Sequence, residues 1–262
     1  MIERFSEDID LVVLRRDGET DNKLKTKMKA IGKVLEPVLP EINIDTITHK
    51  MGMNRKTAHT YNKEFQGEYG QIRDAIIVES TWLGYFEPFT SRTLNSFIAN
   101  MMLQNGQTEF IEQYDLQPFE VRVLEPTRTI CEKIMSLVRF SYTENPIEDL
   151  KQKVRHCYDL HQLLKQKEFS NYFYSSAFDE MLLKVAKDDV ASFRNNNIWL
   201  NHHPSKALIF RDLENVWNEL KLIYLGSFKS LVYGEFPNEN EIFKTLNLIK
   251  ARIININRTI KV

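Results

Sequence analysis

Arg4-Phe5-Ser6-Glu7-Asp8-Ile9-Asp10-Leu11-Val12-Val13-Leu14 is the stretch whose reading decides the fold. Leu11 to Leu14 is a short apolar, β-branched run of the kind a buried central strand uses. Side chains alternate along a strand, so Asp8 and Asp10 share one face and Ile9 turns the other way, into the expected core. Two carboxylates about 7 Å apart along a strand can converge on a hard cation. Mg²⁺ takes one or two carboxylates with substrate phosphates and keeps water. Two such ions can clamp the attacking and leaving oxygens of a phosphoryl transfer. Spacing alone leaves a turn or a solvated strand end as the alternative.

The 262 residues suffice for one large domain or two modest ones. Lysine and arginine number 35 against 36 acids, a net charge of −1, which excludes a strongly basic nucleic-acid binder but not a basic patch. Cys131 and Cys157 form neither a disulfide framework nor a zinc pattern, which fits a reducing cytoplasm. No apolar run reaches membrane-spanning length, and the charged residues after Met1 are unlike a signal peptide. Few glycines and prolines favour helices over a sandwich or barrel.

Working outward, Arg15-Arg16-Asp17-Gly18 signals a turn. Asp21 to Leu39 reads as a helix with Leu24, Met28, Ile31, Val34, Leu35 and Val38 on one face. Lysines 23, 25, 27, 29 and 33 surround that stripe, either as a solvated face or as a contact for an RNA backbone. Ile42 to Thr48 reads as a short strand, and His49 to Thr57 as a polar, basic connector. Gln71 to Ser80 is the second clear strand, with Ile76, Ile77 and Val78 buried and Glu79 at its far end. Arg92 to Met102 looks helical, with Leu94, Ile98 and Met101 on one face. Tyr114 to Leu124 reads as a strand. Pro126 opens a helix running to Phe140, buried through Ile130, Ile134, Leu137 and Val138. Ile147 to Lys165, Phe173 to Lys187, Leu208 to Tyr224 and Asn240 to Ile254 are further helices. Trp199, Trp217, Phe228 and Tyr233 read as helical core. His202-His203 sits in a polar loop without nearby acids, and reads as surface rather than as a metal pair.

Arg-Phe-Ser-Glu-Asp-Ile-Asp-Leu resembles the metal-binding strand of the AbiEii/AbiGii toxin family. So does the strand ending in Glu79, with Gly84, Pro88 and Arg92 to Ile98 after it. Glu132-Lys133-Ile134 resembles the family helix that delivers a lysine to the active site. Lys153-Val154-Arg155-His156-Cys157-Tyr158-Asp159-Leu160 resembles its Arg-x-Lys-Asp-x-x-Asp motif, with His156 where relatives carry the first Asp. The resemblance runs from Arg4 to about Leu164.

That resemblance implies an α/β (α+β) protein: a nucleotidyltransferase-like mixed sheet with flanking helices, then a helical C-terminal region. It divides the chain into a core over 1–125 and a helical part over 126–262 that completes the cleft. The implied activity is that of a bacterial toxin–antitoxin or abortive-infection toxin, cytoplasmic, transferring a nucleotidyl group from an NTP to a hydroxyl of RNA, tRNA or protein. Asp8, Asp10 and Glu79 would hold Mg²⁺. Lys133 would meet phosphate, with Ser6 and Arg155 also on the nucleotide. Asp159 would orient Lys133, take a proton, or hold Arg155 four residues away. A cognate antitoxin protein would be the partner. Relatives also carry a Gly-Gly-Thr or Gly-Ser phosphate turn upstream of the acids, and only seven residues precede Asp8 here. The turn is therefore expected to be missing, which leaves a shortened product, a mis-assigned start, or a nucleotidyltransferase fold that acts as an inactive interaction partner.

Overall fold

A computed structural model describes residues 2–6, 8–50, 52–64, 67, 73–82, 86–192 and 197–257. β1 (Asp8–Val12) is followed by α1 (Asp21–Leu35), β2 (Glu41–Ile42), β3 (Asn54–His59) and β4 (Ile76–Thr81). These strands form one sheet in the order β1-β4-β3-β2, with β1 parallel to β4 and the other pairings antiparallel. This is the mixed sheet that the sequence implies, but β1 is not its buried centre. It lies at the edge, and Ile9 is 43% exposed rather than turned into a core. An apolar run reports that a strand forms. It does not report how many strands flank it.

The turn after β1 takes Gly18 to φ 75°, a conformation that disfavours any residue with a Cβ. Thr20 then caps α1, and Leu24 and Met28 bury its inner face. A Cβ on Gly32 of α1 would stand 3.5 Å from the Arg55 guanidinium, so α1 lies against the Arg55 face of β3. Lys56 and Asn54, one residue either side of Arg55, turn to the opposite face.

Several sequence expectations change in this half. The helix expected over Asp21–Leu39 ends at Leu35, with Val34 and Val38 exposed. The strand expected over Tyr114–Leu124 begins only at Phe119, because a helix occupies Thr108–Gln113. The strand expected over Ile42–Thr48 is only Glu41–Ile42, and the chain then turns with Ile47 N–H donating to the Ile44 carbonyl. The connector expected over His49–Thr57 contains most of β3, and His49 bridges to Lys56. The helix expected over Arg92–Met102 is a strand followed by a helix. β5 (Phe89–Leu94) pairs antiparallel with β6 (Phe119–Leu124), and α2 (Phe97–Gln104) and α3 (Thr108–Gln113) fill the connection. The Ser96 hydroxyl accepts from Ala99 N–H at 3.0 Å and so starts α2 after Leu94. Leu94, Ile98 and Met101 are exposed, and Ala99 alone of α2 is buried. Gln71, Ile72, Gly84, Asn195 and Asn196 lie outside the described residues.

The rest of the chain is helical: α4 (Pro126–Phe140), α5 (Pro146–Lys151), α6 (Val154–Leu164), α7 (Lys167–Phe173), α8 (Ser176–Ser192), α9 (Leu208–Arg211), α10 (Leu213–Ile223) and α11 (Glu239–Ile253). The expected helix Ile147–Lys165 breaks at Gln152-Lys153 because α5 packs on α10 while α6 packs on α4 and α11. The helix expected from Phe173 begins instead at Ser176. Ile130, Ile134, Leu137 and Val138 are buried as predicted, in a core that also takes in Tyr158, Phe173, Trp199, Trp217 and Phe228. Tyr233 is half exposed and packs on Phe5 and Phe97. His203 bonds the Ile256 carbonyl and His202 stacks on Tyr142, so both histidines are structural.

The sheet has a far smaller core, centred on Ala58, Ala75 and Ile77. Its N-terminal end is tied to the helical half. Phe5 N–H donates to the Leu231 carbonyl, Tyr233 N–H donates to that of Glu3, and Arg4 bridges Val232.

Stability therefore resides mainly in the core built by α4 to α11. Phe173→Ala should lose about 3–5 kcal/mol and lower Tm by roughly 10 °C. Val34→Ala on α1, where Val34 is 76% exposed, should stay within about 0.5 kcal/mol of wild type. Thermal melts of both variants check this, and equal losses would contradict it.

Candidate active site

Parallel pairing sets Asp10 opposite Glu79. Asp8 lies two residues from Asp10, so alternation puts the three carboxylates on one face. Lys56 pairs opposite Glu79 and Asn54 opposite Thr81, which adds both to that face. Lys56 Nζ lies 3.2 Å from Glu79 Oε2, and Asn54 Nδ2 donates to Glu79 Oε1 at 3.0 Å. Asp8 is held from the helical half. Arg155 of α6 places Nη1 and Nη2 at 3.2 and 3.3 Å from Asp8 Oδ2, and Arg73 reaches Oδ1 at 3.3 Å.

Asp10 carries no ion pair among the described residues. Partial desolvation, then the charges of Glu79 and Asp8, raise its carboxyl above the ordinary carboxylate range, against the pull of Lys56 and Arg155. Like charges gathered in this way favour a bound cation.

A fourth carboxylate lies on α6, one helical turn after Arg155. Asp159 of α6 has no exposed side-chain surface. Arg4 grips it through two parallel bonds, Nε to Oδ1 and Nη2 to Oδ2, each 2.7 Å. Lys133 of α4 donates to Oδ2 at 2.7 Å. Burial alone would raise Asp159. The Arg4 bonds and the charges of Lys133 and Arg4 outweigh it and hold the carboxyl below its usual value. Arg155 and Asp159, though four apart on one helix, do not pair. Each reaches across to the N-terminal segment instead.

Beside them His156 is kept neutral, its pKa driven well down by burial and by Lys133. Its Nδ1 has no partner among the described residues. Ser6 is exposed, between the Arg4 bridge and β1. Burial pushes the thiols of Cys131 and Cys157 up to about 12, which makes them inert.

The structure thus brings Asp8, Asp10 and Glu79 to one face, links Asp8 to Arg155, and links Lys133 to Asp159. Among the described residues no three His, Cys, Asp or Glu side chains stand close enough to ligate one ion as they are. Cations hold two of the three acids instead. The donor set still suits a hard cation: three carboxylates, with the buried Asn54 Oδ1 beside Glu79 lacking a hydrogen-bond partner. Sequence reading missed Arg4, Arg73, Asn54 and Lys56 as members of this network. Arg4 opens the motif and was legible as such. The other three become visible only through strand pairing and tertiary contact.

A family model described as "Nucleotidyl transferase AbiEii toxin, Type IV TA system" matches residues 1–222. No curated protein and no solved structure matches the chain.

The charge network predicts an acid-side effect. The folded Asp159 carboxyl lies below its unfolded value, so its stabilisation is full above the ordinary aspartate pKa and is lost as pH falls from there through the depressed folded value. Asp159→Asn leaves Arg4 and Lys133 without their counter-charge and should lose about 3–5 kcal/mol at neutral pH. Its denaturation midpoint should also fall less steeply than that of wild type between about pH 5 and pH 3. Urea melts across that range decide it, and identical slopes would remove Asp159 from the account.

Proposed function

Since the chain belongs to the family of AbiEii nucleotidyl transferase toxins of type IV toxin–antitoxin systems, we propose that it transfers a nucleotidyl group from an NTP to an acceptor hydroxyl. The acceptor is RNA, tRNA above all, or a protein side chain. The observation that carries this reading is the pairing of Asp10 with Glu79, with Asp8 on the same face and Arg155 reaching it from α6.

In this reading Asp8, Asp10 and Glu79 hold Mg²⁺, which supplies positive charge to the phosphates. Asp8 exchanges its Arg73 and Arg155 contacts for that role, and Arg155 becomes available to the triphosphate. The acceptor oxygen bonds to the α-phosphorus, the bond to the bridging oxygen breaks, and pyrophosphate leaves. A carboxylate of the acid face takes the hydroxyl proton. Lys133 neutralises charge gathering on the phosphates, a positioned contact of the kind that contributes most to phosphoryl transfer. Asp159 is a poor proton acceptor because two cations hold its charge. It serves as a positioning residue that aims Lys133.

The lysines of α1 contribute less to this site than their number suggests. Lys23 and Lys27 pair with Glu19, and α1 lies against the opposite face of the sheet. Family membership implies an antitoxin as the partner. No helix among the described residues is long and apolar enough to cross a membrane.

Labelled NTPs, Mg²⁺ and total RNA test the reading. Wild type should label RNA, or a protein if that is the acceptor. Asp10→Asn should abolish labelling while keeping or raising Tm, because its raised carboxyl opposes folding when charged. Lys133→Ala should label about 100-fold more slowly. Equal labelling by wild type and Asp10→Asn would reject the site.

A further inference from the structure

A cavity of about 240 Å³ opens beside Asp10, between the acid strand and the β5–β6 hairpin, and its wall includes Asp10, Val12, Phe86, Phe89, Arg122 and Leu124. Val12 continues the face that carries Asp8 and Asp10. Phe89 pairs opposite Leu124 and Arg122 opposite Ser91, so Phe89, Arg122 and Leu124 share one face of the hairpin. The rings of Phe86 and Phe89 lie 6.1 Å apart, and the Arg122 guanidinium stands 5.6 Å from the Phe89 ring centre. The hairpin is held in register with the helical half. Buried Arg128 of α4 donates to the Glu87 carbonyl at 2.9 Å and to Asp188 of α8 at 2.8 Å.

These walls specify a ligand. Two aromatic rings and aliphatic neighbours accept a flat apolar face. Arg122 has donors and no acceptors, so it selects a ligand edge that carries acceptor atoms. The Asp10 carboxylate in the same wall disfavours phosphate here. A flat ring with acceptors on its edge, joined to a group reacting at Asp10, is a nucleobase.

We propose that this cavity is a nucleobase subsite, in which the base packs along the Phe86–Phe89 wall beside Arg122, whose guanidinium lies over the Phe89 ring, and presents its acceptor edge to that guanidinium. The subsite rests on the nucleotidyl-transfer reading of the Asp10 face. Bases with ring carbonyls fit it better than adenine, whose amino group would meet the guanidinium donor to donor. The base belongs to the NTP or to the terminal nucleotide of the acceptor. The chemistry is the same for both, and the experiment separates them.

The full chain is irradiated with 4-thio-UTP in one arm and with an RNA ending in 4-thiouridine in the other, and adducts are mapped by mass spectrometry. An adduct on Phe86, Phe89 or Arg122 supports the subsite, and the arm that yields it names the source. Adducts elsewhere, or none, in both arms overturn it. Phe89→Leu keeps the apolar contact and loses the aromatic ring. It should raise KM for the substrate named by crosslinking about tenfold, the scale of one base–aromatic stack. Unchanged KM for both substrates, with Tm preserved, also overturns the subsite. Wild type that transfers no nucleotide rejects the proposed function, whereas transfer without an adduct in this cavity rejects the subsite alone.

Discussion

A carboxylate with no exposed surface has to be neutralised where it stands, and Asp159 meets that requirement with Arg4 on one side and Lys133 on the other. The three residues come from the segment before β1, from α4 and from α6. One charge thus joins the first strand to two helices of the main core. Removing either cation alone leaves part of the carboxylate uncompensated. Removing the carboxylate leaves two cations facing each other in a partly buried space. The relation is stiff because bidentate Arg–carboxylate geometry tolerates little rotation.

That stiffness sets the register of the acid face. Arg4 is also pinned by backbone bridging to Val232, so the chain leaves the helical half at a defined point and Asp8 arrives opposite Arg155. The small sheet core around Ala58 and Ile77 would not by itself position an exposed edge strand. The helical half, which holds most of the buried aromatic residues, provides the rigid frame. The sheet half carries the acids together with Lys56 and Arg73, and the helical half adds Arg155 to Asp8.

The acid face itself is electrostatically tense. Glu79 is balanced by Lys56, and Asp8 by Arg155 and Arg73, but Asp10 keeps a raised proton affinity from its crowded neighbours. Such a cluster weakens the fold when charged and strengthens binding of whatever positive charge it receives. Arg155 reaches from α6 to hold Asp8. Neutral, buried His156 adds no charge to the balance.

Much of this was legible in the sequence. Alternation around Leu11–Val13 put Asp8 and Asp10 on one face, and the helical period of Ile130, Ile134, Leu137 and Val138 predicted α4 and the side on which Lys133 emerges. Pro126 and Gly18 marked their boundaries through fixed backbone geometry. These are local rules, and a linear pattern is enough to apply them. Tertiary structure decided the rest. Ile9 is exposed because, among the described residues, β1 pairs with β4 alone. Arg92–Leu94 became strand because Phe119–Val121 lay within pairing distance and Ser96 capped the helix later. Arg155 and Asp159 ignored each other because stronger partners, Asp8 and Arg4, arrived from some 150 residues away. Periodicity records which face a residue takes, whereas the identity of its neighbour across that face depends on how distant segments pack.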